Sequence, residues 1–435
     1  MREPHQVRRG RPTLARHGRL STPHPVSLIL TLIAVGAVVL SLSATAVGAY
    51  AVWDAASTIT DQAVDLDPDE DLPPSLGAIE GGVNVLVVGT DSCEGQDLEL
   101  FPRCANGDSP GERNDVTMLV HISDPPRRVT VVSIPRDMNV AIPSCTDGDG
   151  VTHSAMTAQQ INASYFYGGL ACTARTVEQL IGDDIDFAAA IRWTGVINMS
   201  DAIGGVDVCV AGDISDRHTG LSLAAGNHTL VGAEALQFLR IRHGIGDGSD
   251  LGRISNQQQF MSSMVRKLQS DAVLADPGRL LTLATTAVSQ VTQGQLVLSS
   301  GLTNPTLMVQ IAMAVKDVPY EDIVFVQYPT AYVAGVGASR VMPVTYAADA
   351  LFAALQENRP LTLTGEASQG YGVEVTGEAA APAPIPSASP EPGTDAAGEA
   401  SASPTATPVA EERVELPSEI AGQTAAQTTC TVPQR

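Results

Sequence analysis

Val116-Thr117-Met118-Leu119-Val120-His121-Ile122, followed after a short turn by Val129-Thr130-Val131-Val132-Ser133-Ile134 and halted by Pro135, decides the fold class. Both runs are short, free of acidic and basic groups apart from one histidine, and rich in β-branched residues, which is how buried strands of a mixed or parallel sheet read. Proline has no N–H to give a ladder, so Pro135 ends the second strand. Upstream, Val83 to Val88 is a third run of the same kind. Downstream, Ala174 to Ile181, Trp193 to Ile203, Gly232 to Leu239, Gly252 to Leu274, Pro277 to Thr292 and Thr306 to Val315 carry apolar residues at helical spacing, before Ile323 to Gln327 returns to strand. This alternation predicts an α/β domain over 81–364, a central mixed sheet covered by helices on both faces. A region of that length can bury one substantial core.

Moving outward, Val26 to Trp53 contain no charged residue. That length crosses a hydrocarbon core of roughly 30 Å, so a single transmembrane helix is expected at 26–53, with a cleaved signal peptide as the alternative. Residues 1–25 hold six arginines against Glu3. The positive-inside tendency therefore expects a cytoplasmic basic tail at 1–25, an extracytoplasmic spacer at 54–80, and a cell-membrane protein whose folded domain lies outside. The chain carries a formal charge of -23, and its basic tail is only a small part of it. An exported surface this acidic is not expected to bind nucleic acid.

Cys93, Cys104, Cys145, Cys172, Cys209 and Cys430 all fall on that side, an even number in a compartment where disulfides persist. Cys93 with Cys104 and Cys145 with Cys172 would each close a polar loop, leaving Cys209 for Cys430 by elimination. Metal binding is the competing reading, but no C-x-x-C pair occurs. Beyond Thr364 the composition collapses into Ala, Pro, Ser, Thr, Gly and Glu, which predicts a disordered acidic tail over 365–435. Leu416 to Cys430 could dock locally if the cysteine is bridged.

Against the acidic background, arginines beside acids at element ends stand out: Glu112-Arg113-Asn114-Asp115, Pro135-Arg136-Asp137, Arg240-Ile241-Arg242 and Asp250-Leu251-Gly252-Arg253. Planar guanidinium forks match phosphate oxygens, so these runs point to a doubly charged phosphate ligand. Arg253 and Gln257 are four apart on a helix that Ser249 or Asp250 would cap, which places them on one face. Asp91 follows the first strand and Asp115 opens the second. Two carboxylates at one sheet edge suit a hard cation such as Mg²⁺, while the plainer alternative is a turn residue and a strand cap. Likewise each arginine alone is an ordinary surface ion-pair partner.

The ordered series Arg113-x-Asp115-Val-Thr-Met-Leu-Val, Val132-Ser-Ile-Pro-Arg136-Asp137, Ile161-Asn162-Ala163, Tyr167-Gly168-Gly169, Asp201-Ala-Ile-Gly204-Gly205-Val206-Asp207-Val208, Leu223-x-x-Gly226, Arg240-x-Arg242 and Asp250-Leu-Gly-Arg253-Ile-x-x-Gln257-Gln258 resembles the LytR-CpsA-Psr family of cell-wall enzymes. That resemblance implies a sheet sandwiched between helices around an apolar tunnel for a polyprenyl tail. It also implies a phosphotransferase that moves a phosphoglycan from a polyprenyl-diphosphate carrier to a peptidoglycan acceptor, with Mg²⁺ (or Mn²⁺) on the diphosphate. Carried over, Asp91 and Asp115 become metal ligands, and Arg113, Arg136, Arg240, Arg242, Arg253 and Gln257 contact phosphates. Arg136, Asp115, Arg240 and Arg242 carry the catalysis, Asp115 with a possible share in deprotonating the acceptor hydroxyl. Two positions depart from the pattern: Asn256 and Gln160 stand where a basic residue is common. A polyprenyl-diphosphate diphosphatase and a noncatalytic cell-wall binding or attenuator-like protein are the alternatives.

Overall fold

The computed structural model describes residues 57, 59–66, 75, 82–106, 111–270, 277–332, 340–379 and 412–434. The expected membrane span at 26–53, the basic tail at 1–25, most of the spacer 54–80 and residues 380–411 lie outside the described residues. Among the described residues no helix is long and apolar enough to cross a membrane.

Strands β1 (Val83–Thr90), β2 (Asn114–Ile122) and β3 (Val129–Ile134) come first, then helix α1 (Ser164–Ile181), strand β4 (Phe187–Ile191) and helix α2 (Trp193–Ile203). Strands β5 (Val206–Val210) and β6 (Gly226–Leu230) lead to helices α3 (Gly232–Arg240), α4 (Asp250–Gln269) and α5 (Pro277–Thr292). After β7 (Leu296–Leu298), α6 (Pro305–Lys316), β8 (Ile323–Gln327) and α7 (Thr345–Gln356), the chain ends in β9 (Val373–Glu378), β10 (Gly422–Thr424) and β11 (Gln427–Thr431).

Seven strands form the central sheet in the order β7-β4-β1-β2-β3-β8-β10. It is mixed: β1 with β4 and β3 with β8 are parallel, and the remaining pairs are antiparallel. Alternation along each strand sends side chains to two separate cores. Leu86, Val88, Leu119, Val132 and Ile134 pack with Val177 and Ile181 of α1 and Leu351 and Phe352 of α7. Val83, Val85, Met118, Val129 and Val131 pack on the other side with Val291 of α5, Leu307 of α6, and Met261 and Val265 of α4. The expected helix-covered mixed sheet is therefore the observed architecture.

Strands β4 to β7 and β9 to β11 were not read from the sequence, and α4 ends at Gln269 rather than Leu274, where Ser270 turns extended; three further details differ. Helix α1 starts at Ser164 rather than Ala174, because it continues through a kink at Gly168-Gly169, where both glycines leave helical geometry. A side chain at Gly168 would meet Cβ of Cys172 at 2.9 Å and Cβ of Cys145 at 3.0 Å, so the kink lets the helix pass the Cys145–Cys172 disulfide. Helix α7 was unassigned, although Ala348, Leu351, Phe352 and Leu355 show helical spacing and are buried.

The third detail corrects the tail. Residues 365–379 and 412–434 are not disordered. Strand β10 pairs with β8 at the edge of the central sheet. Strand β11 joins a second sheet, ordered β6-β5-β11-β9, and the Cys209–Cys430 disulfide clamps it there. Composition alone could not show that an open sheet edge elsewhere in the chain would satisfy these backbone groups. The Cys93–Cys104 disulfide is also formed.

Candidate active site

Where β1 and β2 end, their register shifts between Gly89 and Thr90, with Gly89 opposite Val116 and Thr90 opposite Asn114. Asp115 is the extra residue of this β-bulge, a device that turns a side chain out of its usual alternation. Its Oδ1 accepts a hydrogen bond from Arg136 Nη1 at 2.6 Å, just past the Pro135 stop of β3. Its backbone carbonyl accepts from Arg253 Nη2 at 2.9 Å. Burial raises the Asp115 carboxyl pKa, but Arg136, Arg253 and Arg240 outweigh that and hold it below the ordinary aspartate value. Asp115 is thus a firmly ionised carboxylate.

Helix α4 supplies the next pair. Ser249 caps it by accepting from Gly252 N at 3.2 Å, as the sequence allowed. At the first helical position, Asp250 faces Arg253 Nη2 one turn on at 2.6 Å and Arg136 Nε at 3.6 Å. Arg136 Nε also lies 3.6 Å from Asp137. Burial pushes the Asp137 carboxyl up, reinforced by Asp250 and opposed by the arginines. The Nε groups of Arg136, Arg242 and Arg253 are buried without a hydrogen-bond partner among the described residues. Orphaned guanidinium donors in a cluster call for an anionic ligand.

Arg240 closes α3, and the extended Ile241 behind it is fully buried, which leaves Arg240 and Arg242 on the side away from that core. Arg240 stacks on Trp193 at the start of α2, 4.3 Å from the ring centroid. Behind Arg240 and Arg253 opens a cavity of about 240 Å³ between the sheet and helices α2, α3 and α4. Its walls include Val87, Met118, Val196, Met199, Ile203, Leu236, Phe260 and Met264, and its polar lining gathers around Thr90, Asp115, Arg240, Arg253 and Gln257. An apolar hollow ending at guanidiniums matches a ligand with a greasy tail and an anionic head.

Not every expected residue converges. Arg113 lies over the Phe166 ring, 5.8 Å from its centroid. Its backbone N–H donates to Asp91 Oδ1 at 2.9 Å, so Asp91 has one oxygen engaged across the strand pair, close to the turn role weighed above. Gln257 lines the cavity, yet its Nε2 donates to the Leu239 carbonyl at 2.8 Å. It thereby holds the end of α3, next to Arg240. The two departures have structural causes. Asn256 is fully buried, donates to the Phe238 carbonyl and accepts from Thr431 of the tail, so it faces β11. Gln160 donates to Asp137 Oδ1 at 3.0 Å. Sequence reasoning missed Trp193 and, though it quoted Asp250 beside Arg253, gave it only a capping role; the i, i+3 spacing of Asp250 and Arg253 was the available signal for their pairing.

Asp91 and Asp115 are oxygen donors on neighbouring strand ends, chemistry that fits Mg²⁺. Among the described residues no group of three or more His, Cys, Asp or Glu is placed to hold a metal, so a cation here would need ligand oxygens to complete its shell.

The fold and this cluster define an α/β domain with an arginine-rich anion site at the mouth of an apolar cavity. The family described as LytR_cpsA_psr matches residues 49–357, and the chain belongs to it. A probable cell wall biosynthesis protein, LcpB, from Corynebacterium glutamicum is 34% identical over 227 residues, covering 51% of this chain and 51% of that protein. The polyisoprenyl-teichoic acid–peptidoglycan teichoic acid transferase TagU of Bacillus mycoides is 29% identical over 200 residues, 46% of this chain and 57% of that protein. This chain thus spans about half the length of the curated relatives it matches. Among solved structures, a LytR-Csp2A-Psr enzyme from Actinomyces oris superposes with a TM-score of 0.47 at 22% identity, over 63% of this chain and 90% of that one.

Proposed function

We propose that this chain is a membrane-anchored, extracytoplasmic phosphotransferase that moves a phosphoglycan from a polyprenyl-diphosphate carrier to peptidoglycan. The observation that carries the reading is the apolar cavity ending at Asp115, Arg240 and Arg253, with Arg136 bonded to Asp115. The polyprenyl tail occupies the cavity and the diphosphate meets the guanidiniums. The names of the relatives, cell wall biosynthesis protein and teichoic acid transferase, agree.

Phosphoryl transfer asks a protein chiefly to position groups and neutralise charge on nonbridging oxygens. In the reaction the acceptor hydroxyl oxygen bonds to the glycan-linked phosphorus. The bond from that phosphorus to the bridging oxygen breaks, polyprenyl phosphate leaves, and the hydroxyl proton is released to solvent. Arg136, Arg240, Arg242 and Arg253 carry the charge on the diphosphate. Asp115 orients Arg136, since a carboxylate held ionised by its neighbours is a weak base. Asp91 and Asp115 would hold Mg²⁺ (or Mn²⁺), which supplies further charge neutralisation when bound. The uncharged stretch 26–53 anchors the chain with its N-terminus in the cytoplasm.

The test incubates the full chain in detergent with a radiolabelled polyprenyl-diphosphate glycan and peptidoglycan fragments. Label on peptidoglycan together with free polyprenyl phosphate is the expected result. Release of polyprenyl phosphate at the same rate without peptidoglycan, and with no labelled peptidoglycan, would replace this reading with a diphosphatase; no reaction at all would leave only a binding role.

A further inference from the structure

Beside Arg136, whose Nε is 3.6 Å from Asp137 and from Asp250, lies a second hollow, a cleft of mixed polarity of about 220 Å³. Asp137, Arg242, Ser249, Asp250 and Tyr332 line it. Arg136 reaches Asp115 of the cavity through Nη1, and Asp137 and Asp250 of the cleft through Nε. Asp250 in turn pairs with Arg253, a cavity residue. The cleft is therefore joined to the phosphate site through shared ion pairs.

Direction of attack gives this hollow a role. In a phosphoryl transfer the incoming and leaving oxygens stand roughly in line on opposite sides of the phosphorus. A leaving polyprenyl phosphate seated in the apolar cavity requires the incoming hydroxyl to come from another space, and the cleft is the neighbouring one joined to the site through Arg136 and Asp250. Its inventory suits a hydroxyl-rich ring. Tyr332 is about half exposed and supplies the aromatic side chain of the lining. Arg242 brings a buried Nε that has no hydrogen-bond partner among the described residues, and Asp137 brings carboxylate oxygens, Oδ1 also accepting from Gln160. The space admits about one pyranose ring, well under the volumes of drug-sized pockets.

We propose that the cleft lined by Asp137, Arg242, Ser249, Asp250 and Tyr332 is the subsite for the acceptor saccharide, presenting one sugar hydroxyl to the phosphorus past Arg136. This assignment rests on the phosphotransferase reading above. Its test measures initial rates of the full-length chain with the labelled polyprenyl-diphosphate glycan and a soluble peptidoglycan glycan-strand fragment. Each substrate is varied in turn, for wild type and for Tyr332→Ala, Tyr332→Phe and Asp137→Asn. Tyr332→Ala and Asp137→Asn should each raise the acceptor KM about tenfold while the donor KM moves less than about twofold, and Tyr332→Phe should keep most of the acceptor affinity. An unchanged acceptor KM in both variants, or a rise in the donor KM instead, overturns the assignment and in the latter case gives the cleft to the donor glycan. Absence of transfer by the wild type would instead sink the phosphotransferase reading, so the two failures are distinguishable.

Discussion

Arg136 Nη1 lies 2.6 Å from Asp115 Oδ1, linking a residue just beyond the end of β3 to the bulge of β2. The pair ties the strand-ending proline to a register shift in the neighbouring strand, with Asp115 lining the apolar cavity and Arg136 reaching Asp137 and Asp250 of the neighbouring cleft. Truncating either side chain should therefore affect chemistry more than folding.

Arg136→Ala should lower transfer by a factor of about 10² to 10³, the loss typical of removing one donor from a charge-stabilising site. Single-turnover rates with labelled donor read this out. Wild-type rates in the variant would remove Arg136 from the mechanism.

The stacking of Arg240 on Trp193 at 4.3 Å predicts a graded effect. Trp193→Phe should retain most of the activity, and Trp193→Leu should cost about 0.5 to 2 kcal/mol in transition-state stabilisation. Equal losses in kcat/KM for the two variants would show that the ring serves packing alone.

Filling the apolar cavity should discriminate between donors. Met264→Trp places a larger ring in a space of about 240 Å³. It should raise the KM for a long-chain polyprenyl donor well above that for a short-chain analogue. An equal effect on both would place the tail elsewhere.

Asp137 gives a pH-dependent signature. Burial, with Asp250, raises its carboxyl pKa above the ordinary value of 3.8, so the ionised form costs the folded state stability once pH exceeds the folded pKa. That cost disappears as pH falls below 3.8, where the group is protonated in both states. Asp137→Asn should accordingly be more stable relative to wild type at pH 7 than at pH 3, measured by urea midpoints. A difference independent of pH would refute the linkage.

Cys209 and Cys430 close a loop with a sequence separation of 221 residues. Replacing both with serine should cost about 2 to 5 kcal/mol of stability. It should also loosen α4, because Thr431 Oγ1 lies 2.6 Å from both Asn256 Oδ1 and Gln259 Oε1, sharing its one hydrogen between them, and Gln259 Nε2 donates to the Thr429 carbonyl at 2.7 Å. Hydrogen exchange in Asn256 to Phe260 reports that loosening; unchanged protection there would show that pairing holds β11 without the bridge.

Valine-rich runs stopped by Pro135 and helices at 3–4 spacing were enough to read the mixed sheet and both of its coverings, because hydrophobic periodicity is local. The arginine and aspartate runs were legible for a different reason: charge at element ends in an acidic chain is conspicuous without any coordinates. What pairs with what was not local. Arg113 turned to Phe166, Gln257 to the Leu239 carbonyl and Asn256 to Thr431, and each choice depends on which element happens to pack alongside.

The amino-acid order by itself determined strands β1, β2, β3 and β8, most helices, the cysteine inventory and the candidate phosphate-binding residues, since each is written in spacing and residue type. Only the tertiary structure decided that Asp115 occupies a bulge, that Asp250 joins Arg136 to Arg253, and that β10 and β11 complete two sheets. Those outcomes are set by contacts between segments far apart in the chain, where register, burial and the demand of open backbone groups for partners choose among arrangements that sequence leaves equivalent.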